Sequence, residues 1–289
     1  MPSQRAHRYV VLDVFTDAPL EGNALAVFTD GAAVPEHDMQ RLARELNLSE
    51  TVFVLAAERG GDARVRIFTP SVELPFAGHP VLGTAIVVGR ARGLEKVTLE
   101  TPAALVPVRL ARGGEGAHER GVARGTMEQP IPSWQPYGDH ARVLSALGVE
   151  RSGLPVEVYD NGPVYVYVEL VDGAAVAGLA PDMRALGDLG HVGVVCFAGA
   201  GSRWKMRMFA PAEGVPEDPA TGSAAGPLAV HLARHGRIAF GEEIEIRQGA
   251  ELRRPSLLRA RALGTAAAIE RVEVGGAAVL VAEGEFRLG

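Results

Sequence analysis

Glu50 is placed where a carboxylate could exchange protons with a substrate. It stands at the predicted junction between a loop and the apolar strand segment Val52-Phe53-Val54-Leu55. Burial of a carboxylate disfavours its charged form and raises its pKa toward the range useful for a general acid or base. An acidic residue that begins a strand is more often solvated or a capping group, so Glu50 alone indicates proton transfer only weakly.

His79 follows Gly78 at the predicted start of an apolar helix. The helix dipole at this end disfavours an imidazolium and keeps the ring neutral, so that it accepts or donates one hydrogen bond. A helix cap or a loop histidine is the alternative role. The opening N–H groups of such a helix lack intrahelical partners and favour carboxylate or phosphate ligands.

Asp218, Thr221, Gly222 and Ser223 bring an acid, two hydroxyls and a glycine to the start of a second apolar helix. The first and last of these could simply cap that helix, because Asp and Ser are favoured caps. The loop lacks the Gly-Lys-Ser/Thr ending of a phosphate-binding P-loop, which argues against nucleotide phosphate as the ligand. As at the first helix, the unpartnered N–H groups at this helix start predict an anion-binding site.

The two helix starts belong to segments of similar order, 68–88 and 209–236. Each runs from a strand ending in Phe-x-Pro, through a Pro-containing loop and a glycine, into a helix of small apolar residues. Helices that are apolar nearly all round are buried. The repeat therefore predicts an α+β fold of two pseudo-symmetric lobes, each a mixed sheet wrapped around a central helix, with the helix N-termini facing a shared cleft. Clefts of this kind are common ligand sites.

Each half also contains, near its beginning, two predicted strands that are joined by a loop with asparagine and glycine. Asn23 lies between predicted strands at 8–15 and 24–28, and Asn161 between 156–159 and 164–168. Asn23 is either a turn residue or an amide that holds the substrate or the catalytic loop. The Gly-rich, charged stretch 112–125 predicts a loop or linker, which divides the chain into lobes 1–125 and 126–289. This division leaves open a last strand that crosses back to the first lobe.

Composition limits the class of protein. The chain has 289 residues, enough for two lobes, and its net charge of −6 argues against nucleic-acid binding. Cys196 is the single cysteine and is expected in a buried strand, which favours a reducing cytoplasm. Neither a signal peptide nor a membrane span is predicted. His231 and His235 have a zinc-binding spacing, but Leu232 replaces the glutamate of His-Glu-x-x-His, so we expect a structural role and no metal.

Four ordered motifs then point to one family. They are Asp13-Val14-Phe15-Thr16 with Gly22-Asn23, Asn47-Leu48-Ser49-Glu50-Thr51, Pro75-Phe76-Ala77-Gly78-His79-Pro80, and Glu217-Asp218-Pro219-Ala220-Thr221-Gly222-Ser223-Ala224. Together they resemble the PhzF-like family of phenazine-biosynthesis isomerases. The resemblance implies a diaminopimelate-epimerase-like fold, a homodimer, and isomerisation of a dihydro-3-hydroxyanthranilate precursor without metal or organic cofactor.

By motif, the proton-transferring glutamate of the family corresponds to Glu50, and His79, Asp218 and Ser223 to supporting catalytic residues. We expect the small carboxylate-bearing substrate to contact Asn23, Gly78, Thr221 and Gly222. One departure is Ala24, where the family typically has proline.

Two alternatives to an isomerase remain at this point: a small-acid binding protein without turnover, and a lyase or hydrolase on the same scaffold. Racemases of this fold use one thiol at each of the two helix N-termini. This chain has Gly78-His79 and Gly222-Ser223 there, which disfavours two-thiol chemistry.

Overall fold

A computed structural model describes residues 5–111 and 122–288, which form seventeen strands and six α-helices. Strands β1 to β8 are Arg5–Val14, Asn23–Phe28, Glu50–Leu55, Ala63–Phe68, Glu73–Leu74, Lys96–Glu100, Leu105–Leu110 and Val122–Gln129. Strands β9 to β17 are Ser133–Pro136, Glu157–Asp160, Val164–Glu169, Gly193–Ala200, Arg203–Ala210, Val215–Asp218, Glu243–Gln248, Ser256–Gly264 and Ile269–Leu288. Helices α1 to α6 are Glu36–Leu46, Gly78–Arg92, His140–Leu147, Gly173–Ala177, Met183–Gly187 and Gly222–Arg234.

Strand pairing closes two rings. In the first, β1, β2, β3, β4, β6, β7 and β8 pair in that order, and the long strand β17 joins β8 back to β1. In the second, β9 to β13 pair in order and continue through β15 and β16 to β17. Because β9 directly follows β8, and β8 pairs with β17, the second ring also closes. Strands β8 and β17 thus connect the rings.

The two rings repeat the same pairing sense at every step. Strands β2 and β3 are parallel, as are β11 and β12; the antiparallel pair β3–β4 corresponds to β12–β13, and the parallel pair β4–β6 to β13–β15. The registers agree too, since Thr51 opposes Phe68 and Val194 opposes Phe209. The predicted relation between the halves is therefore confirmed.

Helices α2 and α6 are the central helices of the two rings. Helix α2 packs against β1, β2, β3, β6, β7, β8 and β17, and α6 against β16 and β17. In α6, residues 222–233 are buried. In α2, residues 78–89 are buried apart from Val87, and only the last turn is exposed. The absence of a polar stripe in either sequence follows from this location, because each helix contacts protein on all sides.

The remaining helices cover the outside of the rings. Helix α1 buries Met39, Leu42 and Ala43 against Phe28 and Phe53 on the outer face of the first ring. Helices α3, α4 and α5 cover β11 and β12 of the second ring through a separate apolar cluster. Each sheet thus has apolar groups on both faces, which explains why its strands are rich in consecutive valine, isoleucine and phenylalanine.

Several sequence predictions need correction in detail. The short helix α4 and the short strand β14, which ends at Asp218, were not predicted. Of the loop predicted over 112–125, residues 112–121 lie outside the described residues, whereas Val122 to Gly125 belong to β8. The boundary between residues 125 and 126 falls inside this shared strand and stays a prediction.

Strand β17 pairs with β1 as well as with β16 and so belongs to both rings. Cys196 is buried in β12, where burial raises the pKa of its thiol. None of the helices in the described part of the chain is long and apolar enough to span a membrane.

The N-termini of α2 and α6 meet at Gly78. A Cβ atom on Gly78 would overlap the amide nitrogen of Ser223 and lie 2.7 Å from the Cα of Gly222. The predicted opposition of the two helix starts is therefore confirmed, and it depends on the absence of a side chain at this point.

We expect Gly78→Ala to force the two helix starts apart and to lower the free energy of unfolding by about 1–3 kcal/mol, the usual cost of overpacking. Gly138→Ala is the control, because nothing lies near a Cβ added there. Thermal melts of both variants measure the effect. Equal melting temperatures for the two would contradict the proposed contact.

Candidate active site

A cavity of about 400 Å³ lies between the two rings, at the point where α2 and α6 begin. Glu50, Gly78 and His79 line it from the first ring. The second ring contributes Tyr165, Asp218, Thr221, Gly222 and Ser223. All four predicted catalytic residues, which come from three separate segments of the sequence, thus line one cavity.

Glu50 is the first residue of β3 and stands opposite Leu25 of β2. Its side chain is only 12% exposed, and its Oε2 atom has no hydrogen-bond partner among the described residues. Burial, and secondly the charge of Asp218, raise the pKa of Glu50 well above its usual value. The expected desolvation of this carboxyl is therefore present.

His79 is the second residue of α2, and its ring is buried beside Glu50. The distance from Nε2 to Glu50 Oε2 is 3.3 Å, but the geometry is not that of a hydrogen bond, and Nε2 has no other partner in the described chain. Burial lowers the pKa of His79 to about 3, so the ring is neutral at physiological pH. Two buried polar atoms, one acid and one imidazole nitrogen, therefore face the cavity unpaired.

Asn23 determines which nitrogen of His79 carries the proton. Its Nδ2 donates to Asp218 Oδ1 at 2.8 Å and to the Ala220 carbonyl at 3.1 Å, which fixes the orientation of the amide. The same nitrogen lies 3.1 Å from His79 Nδ1. The two hydrogens of this amide nitrogen are thus shared among three acceptors. A proton on Nδ1 would point at a nitrogen that cannot accept it, so the proton of the neutral ring lies on Nε2, on the side of Glu50.

Asn23 itself is not among the described residues that line the cavity. It is buried behind His79 and Asp218, so the structure does not show the predicted substrate contact. Its amide instead connects the first ring to the loop before α6. The predicted contact with the substrate stays a prediction, and the hydrogen bonds to Asp218 and Ala220 agree with the second role considered for Asn23, holding the catalytic loop.

Asp218 is the more strongly supported of the two carboxylates. It accepts hydrogen bonds from Asn23, from the Thr221 hydroxyl at 2.6 Å and from Ser49, although burial still raises its pKa. Glu50 has no such donors. Of the two acids, Glu50 is thus the one that takes up a proton first as the pH falls.

Thr221 occupies the N-cap position of α6, but its side chain does not cap the helix. Neither Asp218 nor Ser223 therefore serves as the cap, which was the alternative role for both. Gln248 of β15 holds this turn, because its amide accepts from Thr221 N at 2.9 Å and donates to Asp218 O at 2.7 Å. Sequence reasoning missed Gln248, which lies in a strand without any local motif.

Tyr165 is a second residue that was missed. It lies in β11, lines the cavity, and places its hydroxyl 2.7 Å from Ser223 Oγ. One sequence signal indicated where Tyr165 lies. The second half repeats the strand, Asn/Gly loop and strand of the first half, and this repeat places β11 beside α6 as β2 lies beside α2.

No arginine or lysine is among the described residues that line the cavity. Its acidic members are Glu50, Glu73, Glu213 and Asp218. An anionic group of a ligand would therefore be bound by backbone N–H groups at the helix starts and by neutral donors such as the Ser223 hydroxyl, while a ligand cation would be bound by carboxylates. This arrangement suits a substrate that carries both a carboxylate and an amine.

The two histidines of α6 lie outside this cavity. His231 Nδ1 and His235 Nε2 are each 3.2 Å from Glu157 Oε2, which also accepts from Arg234 at 2.7 Å. These three ligand-type side chains lie close enough to hold a metal ion. The arginine, however, already supplies the positive charge, so we interpret the group as a structural ion-pair network.

A larger open groove of about 830 Å³ lies between β7–β8 and β15–β17. It contains none of the four predicted catalytic residues. Its charges are largely paired, as in the contact of Arg109 with Glu273 at 2.7 Å. The smaller cavity is therefore the candidate active site.

Solved structures with the same fold place the protein in a class. One is a phenazine biosynthesis protein of the PhzF family from Bacillus anthracis, with a TM-score of 0.83, 23% identity, and coverage of 98% of this chain and 100% of that one. Another is a predicted epimerase from Pseudomonas aeruginosa, with a TM-score of 0.82, 33% identity and the same coverage. The fold is thus that of epimerase-like isomerases.

Sequence relatives define the family. Residues 12–284 match the family described as phenazine biosynthesis-like protein. Trans-2,3-dihydro-3-hydroxyanthranilate isomerase from Pseudomonas fluorescens is 51% identical over 282 residues, which cover 98% of this chain and 100% of that protein. Its counterpart from Pseudomonas aeruginosa is 52% identical with the same coverage. The chain belongs to the phenazine biosynthesis-like family, and it is an isomerase.

The raised pKa of Glu50 has a consequence for stability. The folded protein keeps the proton of the Glu50 carboxyl to a higher pH than the unfolded chain does. Ionisation of Glu50 therefore disfavours folding increasingly as the pH rises from 4.5, the ordinary pKa of a glutamate, through the raised pKa of Glu50. Glu50→Gln removes that cost. We expect the variant to melt at a higher temperature than the wild type at pH 8, with the difference shrinking toward pH 4. A difference that is independent of pH, or of opposite sign, would count against a buried, weakly acidic Glu50.

Proposed function

We propose that this protein isomerises trans-2,3-dihydro-3-hydroxyanthranilate, with Glu50 as the group that moves the proton. The observation that carries this proposal is the pair of unpaired, buried polar atoms, Glu50 Oε2 and His79 Nε2, that face the cavity 3.3 Å apart. A buried polar atom without a partner is rare and favours a functional explanation. The names of the relatives at 51% and 52% identity supply the substrate.

The charges of this substrate match the cavity. Its name specifies a carboxylate, an amine and a hydroxyl on three consecutive ring carbons. The carboxylate would lie against the N–H groups at the starts of α2 and α6, contacted by Gly78, Gly222 and the Ser223 hydroxyl. The amine would face Asp218, whose carboxylate is held in place by Asn23 and Thr221.

The chemistry needs only one acid/base group. Ionised Glu50 accepts a proton from one ring carbon, and the electron pair left behind is delocalised through the conjugated ring. The neutral carboxyl then returns a proton to another carbon of that system, so that substrate and product have the same atoms. Because burial and the charge of Asp218 raise the pKa of Glu50 well above its usual value, the carboxylate is a stronger base than a solvated one when it accepts the proton.

His79 supports both states of Glu50. Its neutral ring carries a proton on Nε2, which lies 3.3 Å from Glu50 Oε2 outside hydrogen-bond geometry. The positive end of this N–H dipole stabilises the ionised carboxylate without neutralising it. The pKa of His79, about 3, keeps the ring from competing for the proton. Asn23 holds this tautomer from behind.

We further propose that the protein works as a homodimer in the cytoplasm and needs neither a metal nor an organic cofactor. The family likeness supports the dimer, and the single, buried Cys196 supports a reducing compartment. Proton transfer within a conjugated ring exchanges no electrons with a second reactant, so the reaction requires no redox cofactor.

Glu50→Gln should retain ligand binding and fold but lose turnover by about 10²- to 10⁴-fold, the usual contribution of an acid/base group. The control is Glu213→Gln, which changes another cavity glutamate that pairs with His191 at 2.9 Å. We expect this control to remain within several-fold of the wild type. Steady-state isomerisation of trans-2,3-dihydro-3-hydroxyanthranilate measures both. Near wild-type turnover by Glu50→Gln would show that another group carries the proton.

A further inference from the structure

The repeat between the rings shows which residue of the second ring corresponds to Glu50. In the first ring, Glu50 immediately precedes Thr51, which opposes Phe68. In the second, Gly193 immediately precedes Val194, which opposes Phe209. The parallel pairs agree, because Leu25 stands opposite Glu50 and Tyr165 opposite Gly193. Gly193 is thus the counterpart of Glu50, and Ser223 is the counterpart of His79.

The ring of Tyr165 occupies the space that a side chain at position 193 would need. A Cβ atom on Gly193 would lie 2.6 Å from Cδ1 and 2.8 Å from Cε1 of Tyr165. Both residues line the cavity. The second ring therefore presents a phenol hydroxyl, beside Ser223, where the first ring presents a carboxyl beside His79.

The contact between Tyr165 and Ser223 has a preferred direction. The Tyr165 hydroxyl is 2.7 Å from Ser223 Oγ, and no other partner lies within hydrogen-bonding distance of it among the described residues. Either hydroxyl could donate by distance alone, but a phenol is the more acidic of the two, so it is the better donor and the weaker acceptor, which favours the tyrosine as the donor. Burial raises the pKa of Tyr165, so the phenol keeps that proton. With the tyrosine as donor, the Ser223 proton is free to point into the cavity.

We propose that Tyr165 is a positioning residue that orients the Ser223 hydroxyl as a donor to the carboxylate of the substrate. This inference rests on the proposed function, in which Ser223 contacts that carboxylate. The tyrosine acts through the serine and does not touch the reacting atoms. Its contribution is therefore to recognition of an anionic group.

The test uses anthranilate and anthranilamide, which differ only in the charge and shape of the group that Ser223 would contact. Binding of both to the wild type, Tyr165→Phe, Ser223→Ala and the double variant is measured by titration calorimetry. We expect Tyr165→Phe to weaken anthranilate binding by about 3- to 10-fold, the range for one hydrogen bond, and to leave anthranilamide binding nearly unchanged. In the Ser223→Ala background, Tyr165→Phe should have no further effect on anthranilate.

Tyr167→Phe is the matched control. Tyr167 is a buried tyrosine two residues along the same strand, and its hydroxyl donates to the Ala224 carbonyl at 2.8 Å without lining the cavity. We expect it to leave the preference for anthranilate over anthranilamide unchanged. An equal loss in both tyrosine variants would indicate a structural effect and would overturn the proposal. So would a full effect of Tyr165→Phe in the absence of the Ser223 hydroxyl, or failure of the wild type to bind anthranilate.

These measurements do not depend on turnover. If anthranilate binding shows the expected coupling while trans-2,3-dihydro-3-hydroxyanthranilate is not isomerised, the role of Tyr165 stands and the proposed reaction fails. If the substrate is isomerised and its KM is insensitive to Tyr165→Phe, the reaction stands and the role of Tyr165 fails.

Discussion

The starts of α2 and α6 are in direct contact. The residues that approach most closely, Gly78 and Gly222, have no side chains. Gly78 lies directly against the backbone of Gly222 and Ser223, and the cavity opens beside this contact. Two sets of unpartnered N–H groups, and the positive ends of two helix dipoles, therefore meet in one buried place. The rings hold this arrangement, because each helix is enclosed by strands and both rings share β8 and β17. In a cavity whose described lining has no lysine or arginine, these N–H groups and neighbouring hydroxyls are the donors that an anion can use.

The same constraint accounts for the electrostatics of the site. The helix starts meet in a buried region, and this burial removes Glu50 from water. The nearby carboxylate of Asp218 adds a negative charge. Burial and this charge both raise the pKa of Glu50. Asp218 is surrounded by donors from Asn23, Thr221 and Ser49, whereas Glu50 faces only the cavity. The donors of the two acids differ: hydrogen bonds hold Asp218 in place, whereas Glu50 Oε2 has no donor among the described residues, which supports the proposal that Glu50 moves the proton. The burial that raises the pKa of Glu50 also lowers the stability of the folded protein when Glu50 is ionised.

Much of the fold was predictable from local patterns. Apolar helices preceded by Phe-x-Pro and a glycine predicted two buried central helices, and both Asn/Gly loops predicted the strand pairs that flank them. The motif residues Glu50, His79, Asp218 and Ser223 do meet in one cavity. What the sequence does not show is long-range register. Gln248 and Tyr165 reach the site because β15 and β11 pair where they do, and neither lies in a local motif. Asn23 was assigned to the substrate because an amide in a loop is equally suited to a ligand and to a buried carboxylate; only the fold shows that Asp218 and His79 occupy its Nδ2.

The central claim is that Glu50 is a buried carboxyl with a raised pKa at the meeting of two helix starts. The most direct measurement is a pH titration of its side-chain carboxyl by ¹³C nuclear magnetic resonance in protein labelled at glutamate, with the signal assigned by its loss in Glu50→Gln. The account predicts that Glu50 titrates well above 4.5 and that Asp218→Asn moves this pKa downward. A Glu50 that titrates at or below 4.5 would contradict the account, because the carboxyl would then be an ordinary solvated acid with no special capacity to carry the proton.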